Sequence, residues 1–173
     1  MSETRSEARI TLAREGAADV ETGLPVLDHL VGVLAQAGRL RVALEVAPGS
    51  ADEAVTAAGR ALGRAVAARL AAGVGWAILP ADEALALVAL ERAPEGRLVT
   101  NVDFSDERVG GVATDVAARF LEALAVEARI NLHVRLVEGT DPQHVLTAIF
   151  KAVGAALGQA LRRPMRSDDE EAT

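Results

Sequence analysis

Two stretches decide the fold: "GSADEAVTAAGRALGRAV" (residues 49–66) and "GTDPQHVLTAIFKAVGAAL" (residues 139–157). Each opens with glycine and a hydroxyl residue, passes a short acidic or polar cluster, and runs on as an alanine-rich helix carrying a basic residue, Arg60 or Lys151. Thr56 and Thr147 fall at corresponding places, as do the pairs Asp52, Glu53 and Gln143, His144. Self-similarity of this kind marks an internal duplication.

The flanking residues extend the repeat. Leu40, Val42, Leu44 and Val46 alternate with polar or small residues ahead of the first stretch, and Ile130, Leu132, Val134 and Leu136 do so ahead of the second. That period of two is a strand with one buried face. Before each strand, "PVLDHLVGVLAQAG" (25–38) and "ATDVAARFLEALAVEA" (113–128) carry apolar residues at helical spacing. Still earlier come paired strand-like runs, "ARITLAR" with "ADVET" and "EALALVALE" with "GRLVTNVDF". The chain therefore reads as strand, strand, helix, strand, helix, twice, an α+β fold with pseudo-repeats over about 8–72 and 83–162. The long helices are expected at roughly 51–72 and 142–162. A half that cannot bury both faces alone should pack against its twin, here expected sheet beside sheet with helices on one side. Residues 1–162 are expected to form one compact domain, and 163–173, ending in "SDDEEAT", a flexible charged tail.

Composition narrows the function. The net charge of −7, with aromatics at only 2% of residues, argues against nucleic acid as a partner. Cysteine is absent, so neither disulfides nor thiolate metal sites are available, which suits a reducing compartment. The polar start "MSETRSEAR" carries no signal core and no long apolar run follows, so a cytoplasmic protein without membrane contact is expected.

Each candidate side chain has a plain structural role beside its chemical one. His144 follows Asp141 and Pro142, a helix cap and first residue; His133 falls on the polar face of its strand; His29 neighbours Asp28. Ser50 and Glu53 have capping-box spacing, and Asp52 suits the helix dipole. Asp82 and Glu83 in "PADEAL" are either an acid pair or a turn entering a strand, and Arg97 follows a glycine turn where it can meet phosphate or solvent.

Six phrases in order resemble the imidazoleglycerol-phosphate dehydratase family over nearly the whole chain. "TGLPVLDHL" resembles that family's TGxxFLDHM, "LPADEALALVAL" its PMDEAL strand, and "EGRLV" its SGRPY. "ERVGGVATDVAARFLEAL" resembles VGxFxTExxxxFFxxF, "INLHVRL" resembles TLHI, and "PQHVLTAIFKAVGAAL" resembles HHxxEAxFKAxxRAL. The resemblance implies a duplicated α+β half-domain of the ribosomal protein S5 domain 2-like kind. It also implies two divalent ions, usually manganese, bound between subunits of a large oligomer, which hold the substrate imidazole and stabilise the anion formed during dehydration.

Carried across, His29 falls on the LDHM histidine, His133 on the TLHI histidine and His144 on the second histidine of the second HHxxE. The other positions differ. Asp52, Glu53 and Thr56 replace the first HHxxE, and Gln143 and Thr147 replace a histidine and the glutamate of the second, so three of eight ligand positions keep their residue. Asp52 or Glu53 can in principle supply a substitute oxygen. Glu7 falls on a glutamate associated with proton transfer and Arg97 on an arginine associated with phosphate. An expected arginine falls near Gly73, an expected glutamine falls at Val33, and the terminal phosphate motif has no counterpart. The leading expectation is a divergent family member that keeps the fold and assembles as a trimer or larger, without two-metal dehydration. One alternative is a working or altered hydro-lyase with a single divalent ion, manganese or zinc, on His29, His133 and His144 with a carboxylate from Asp52 or Glu53. The other is a non-catalytic binder of a small phosphorylated metabolite, or an oligomer partner.

Overall fold

Asp141 accepts the backbone N–H groups of Gln143 and His144, Pro142 fills the first helical position, and the chain enters its longest helix from there. In the first half Ser50 and Glu53 close a reciprocal capping box, Ser50 Oγ accepting from Glu53 N and Glu53 Oε2 from Ser50 N. A computed structural model describes residues 5–104, 108–109, 112–113 and 115–162. The expected tail at 163–173 lies outside these.

In the first half β1 (Glu7–Leu12), β2 (Ala17–Glu21), α1 (Pro25–Gly38), β3 (Leu40–Glu45) and α2 (Ala51–Ala67) follow in order. The chain continues through β4 (Val74–Ala81), β5 (Ala84–Arg92), β6 (Arg97–Thr100), a short hairpin of β7 (Arg108–Val109) and β8 (Val112–Ala113), α3 (Asp115–Ala128), β9 (Ile130–Glu138) and α4 (Pro142–Leu161). The halves superpose in plan: β3 lies between antiparallel β1 and parallel β2, and β9 between antiparallel β5 and parallel β6. Arg39 and Arg129, both left-handed with φ of 51° and 54°, close α1 and α3 and turn the chain into β3 and β9.

Two features depart from expectation. The residues between the repeats form β4, antiparallel to β5, so the second sheet has four strands in the order β4-β5-β9-β6. Helix α2 also stops at Ala67; Ala71 and Ala72 donate to the Ala160 carbonyl, and Gly73 (φ 73°) turns the chain into β4. The inward positions of β4 that face α4 most closely are small, Gly75 and Ala77, with Leu79 and Ala81 following on the same side, and its outward apolar positions are Val74, Trp76 and Ile78. The apolar alternation thus points to solvent, the reverse of the usual strand.

The halves meet through helices. Helix α1 packs on α4 and α2 on α3, each sheet lying against its own two helices, so the helices form the middle and the sheets the outer walls. This differs from the expected arrangement with helices on one side, because the apolar stripes of the helices bury each other as well as the sheets. A Cβ at Gly154 would lie 2.0 Å from the Leu34 carbonyl oxygen, and one at Gly38 would lie 2.4 Å from that of Gly154. At the other seam, Cβ atoms at Gly59 and Gly63 would meet the carbonyls of Phe120 and Leu124 at 2.6 and 2.7 Å. Phe120 and Phe150, both fully buried, stack with ring centroids 5.9 Å apart at the centre.

Helix α4 is long and apolar enough to cross a membrane by length and composition, but most of it is buried against α1, β4 and β5. Its side chains also close the free edge of β4. Gln159 donates to the Trp76 carbonyl at 2.7 Å and accepts from its N–H at 3.1 Å, and Lys151 donates to the Pro80 carbonyl at 3.0 Å. Edge groups satisfied this way cannot pair with another strand. Arg162, just past α4, donates to the carbonyls of Gly38 and Gly158 at 3.0 and 2.9 Å and ties the ends of α1 and α4 together.

The glycine seam gives a direct expectation. Gly154→Ala must push the Leu34 backbone away, at a cost of about 1–3 kcal/mol in chemical denaturation. Gly154→Val is expected to abolish cooperative unfolding. An alanine variant as stable as the parent would mean the helices are not in backbone contact.

Candidate metal and ligand site

The two-residue turn Asp82–Glu83 joins β4 to β5, with Ala81 and Ala84 paired across its base. Asp82 is held in the left-handed region at φ 54°, a conformation aspartate tolerates better than most residues. This turn stands beside the start of α4. Glu83 Oε1 accepts the backbone N–H groups of Asp141 at 2.9 Å and Thr140 at 3.3 Å, and Glu83 Oε2 lies 2.5 Å from His144 Nδ1. On the other side of the ring, His144 Nε2 lies 3.8 Å from Asp82 Oδ2.

The electrostatics follow from these contacts. The Asp141 backbone N–H and then the His144 ring hold the Glu83 carboxyl down to about 2. Donation from the His144 ring to Glu83, aided by the charges of Asp141, Glu83 and Asp82, raises His144 above its ordinary 6.5 against a smaller opposing effect of burial. Asp82, Glu83 and His144 bring ligand atoms within 4.8 Å of one another. One imidazole nitrogen with carboxylate oxygens is a donor set that suits a borderline divalent ion, so this end of the molecule fits the group that the family uses.

The other candidate residues lie elsewhere. Glu53 is consumed by the capping box, and Asp52 Oδ1 accepts from Arg119 Nη2 at 3.0 Å, linking α2 to α3. Neither joins the His144 cluster, and with both carboxylates engaged the start of α2 is a poor fit for an ion. His29 is exposed on α1, while its neighbour Asp28 turns to Thr22, accepting from both its N–H and its hydroxyl. His133 and Arg97 stand exposed on the outer wall of the second sheet, where the register sets His133 between Val99 and Ala89 and Arg97 beside Asn131. Glu7 is on the outer wall of the first sheet, in one cross-strand row with Glu45 and Glu21, bordering a shallow cavity of about 380 Å³. A single chain therefore gathers His144 with Asp82 and Glu83, and leaves His29, Glu7 and the outer-wall pair His133 and Arg97 apart from that cluster and from one another's elements. The signal for the acid pair was present in "PADEAL", but only the fold sets that turn against the start of α4.

A duplicated α+β half-domain, with a histidine and two carboxylates converging at a helix start, places the chain in the class of the ribosomal protein S5 domain 2-like fold. The comparisons make it specific: the family model for imidazoleglycerol-phosphate dehydratase matches residues 22–157, and the chain belongs to that family. The imidazoleglycerol-phosphate dehydratase of Desulfitobacterium hafniense is 37% identical over 95% of this chain and 88% of its own. That of Desulforudis audaxviator is 36% identical over 91% and 85%. The crystal structure of imidazoleglycerol-phosphate dehydratase from Staphylococcus aureus superposes with a TM-score of 0.81 at 26% identity, over 92% of this chain and 94% of that one.

The Glu83–His144 contact sets a pH dependence. Glu83, with its pKa depressed, contributes stability above its unfolded 4.5 that is lost as pH falls toward 2. His144, with its pKa raised, contributes stability in full below 6.5 that is lost as pH rises through its folded value. The pair therefore stabilises most between pH 4.5 and 6.5. By NMR, His144 is expected to titrate above 6.5 and to move down in Glu83→Gln. A midpoint unchanged by that substitution would contradict the contact.

Proposed function

We propose that this chain is an imidazoleglycerol-phosphate dehydratase-like protein that has given up the two-ion dehydration and keeps the fold. The observation that carries this is the start of α2. There, Asp52 and Glu53 stand where the repeat places Gln143 and His144, and both carboxylates serve helix capping and the α2–α3 contact. At the start of α4, Thr147 turns its hydroxyl back to the Gln143 carbonyl at 2.8 Å, a helix-internal bond. Of the three retained histidines, His144 is the one that stands in a group of carboxylates with metal-ligating spacing among the described residues.

A second reading has its own support: the convergence of Asp82, Glu83 and His144 favours a metal-dependent hydro-lyase working with one divalent ion. Such an ion supplies Lewis-acid stabilisation of negative charge. The deciding experiment is turnover of imidazoleglycerol phosphate under saturating manganese, beside the Desulfitobacterium hafniense relative. With several ligands lost, activity is expected on the order of 10³-fold or more below that relative. Comparable turnover would overturn the leading reading. Weak, manganese-dependent turnover abolished by His144→Ala would establish the second.

Self-association and a cytoplasmic location complete the proposal. Val74, Trp76 and Ile78 form an exposed apolar row on the outer wall, with Trp76 63% exposed, and Val99 lies on the same face. Contiguous apolar surface of this kind favours burial between protein surfaces. A trimer or larger is expected in sedimentation at micromolar protein, and Trp76→Glu should shift it to smaller species. A monomeric parent protein would contradict the assembly.

A further inference from the structure

The turn between β4 and β5 presents its two acids to the His144 ring in different ways. Glu83 is tied down: two backbone N–H groups from residues 140 and 141 hold one oxygen, and the other meets His144 Nδ1. A neutral imidazole that donates its Nδ1 proton to a carboxylate has its Nε2 lone pair free and its ring plane fixed, which is how carboxylates behind the ligand prepare histidines for metals. Asp82 faces that free nitrogen at 3.8 Å, has no hydrogen bond of its own among the described contacts, and is mostly exposed. The distance is too long for a hydrogen bond. It is, however, the separation that a cation creates between two ligands: bonds of about 2.1 Å each place the ligand atoms roughly 3–4 Å apart.

We propose that Asp82 and His144 Nε2 are the two protein ligands of a divalent cation site at the β4–β5 turn, with Glu83 as the residue that positions His144. This inference rests on the family reading above and deepens it, since it names carboxylates outside the helix-start motifs as the partners of the one retained helix-start histidine. The remaining coordination positions are open to water or to a ligand with oxygen or nitrogen donors, as in sites for borderline divalent ions. The left-handed backbone at Asp82 sets its carboxylate on the His144 side of the turn. Asp141 adds negative charge near His144 without serving as a ligand, because Asp141 Oδ1 is committed to the N–H groups of Gln143 and His144.

The test is Mn2+ binding to the chelator-treated full-length protein, followed by electron paramagnetic resonance of free ion and by calorimetry. The variants are Asp82→Asn, Glu83→Gln and His144→Ala. Asparagine tolerates the left-handed backbone and glutamine keeps an acceptor for the two N–H groups, so both should fold, which unchanged circular dichroism and a cooperative melting transition would confirm. The parent is expected to bind about one Mn2+ per chain. Asp82→Asn and His144→Ala should each weaken binding by at least about 10-fold, and Glu83→Gln by about 10 to 100-fold. Absence of binding in the parent, or parent-like binding by Asp82→Asn, would overturn the site. The readout does not depend on turnover: full dehydratase activity with Asp82-dependent metal would sink the proposed loss of dehydration and leave this site standing. Metal insensitive to Asp82 would do the reverse.

Discussion

Where helices of opposite halves cross, backbone meets backbone. The seam of Gly38 and Gly154 between α1 and α4, and that of Gly59 and Gly63 between α2 and α3, leave no room for a Cβ, so each half is held against its twin at the closest spacing helices allow. The shift that aligns Thr56 with Thr147 also aligns Gly63 with Gly154, so the contact was duplicated together with the half that makes it. Everything else depends on this approach. The sheets become outer walls because the helices fill the middle, and the stacked Phe120 and Phe150 fit there because the glycines draw their helices together.

Strand β4 transmits that closeness to the site. Gly75 brings it against α4, where an added Cβ would sit 2.0 Å from the Ala156 carbonyl oxygen, and Gln159 and Lys151 hold its edge. A strand fixed to α4 along its length delivers its terminal turn beside the first turn of the same helix. Glu83 then finds the Asp141 N–H and the His144 ring together, and the electrostatics of the cluster follow from that placement. Val74, Trp76 and Ile78 of β4 are left facing outward on this wall, while Leu79 packs inward.

The two helix starts show how one local plan is spent differently. At α2 the acidic residues satisfy orphan N–H groups and an arginine of α3, which stabilises the fold locally. At α4 a separate aspartate caps the helix, so the histidine in the same turn is released for a partner from outside the helix. The first turn of α2 is spent wholly on local contacts, whereas that of α4 leaves His144 to meet Glu83 across the chain.

The order of elements, the duplication and the helix caps were legible in the sequence because they rest on local periodicity and on contacts between residues a few positions apart, as with Ser50 and Glu53 or Asp141 and His144. The ends of α1 at Gly38 and β3 at Glu45 are of this kind. Strand β4 was not legible, since its first inward positions are Gly75 and Ala77 and three of its larger apolar residues, Val74, Trp76 and Ile78, face solvent; only the close approach of α4 explains small residues there. The acid pair at Asp82 and Glu83 was visible as a motif, but its partner is 61 positions away. By itself the sequence determined which segments are strands and helices within each repeat, and which histidines stand at family positions. Tertiary structure alone decided that the helices lie between the sheets and that His144, rather than His29 or His133, meets carboxylates, because both depend on glycine-permitted contact between segments distant in the chain.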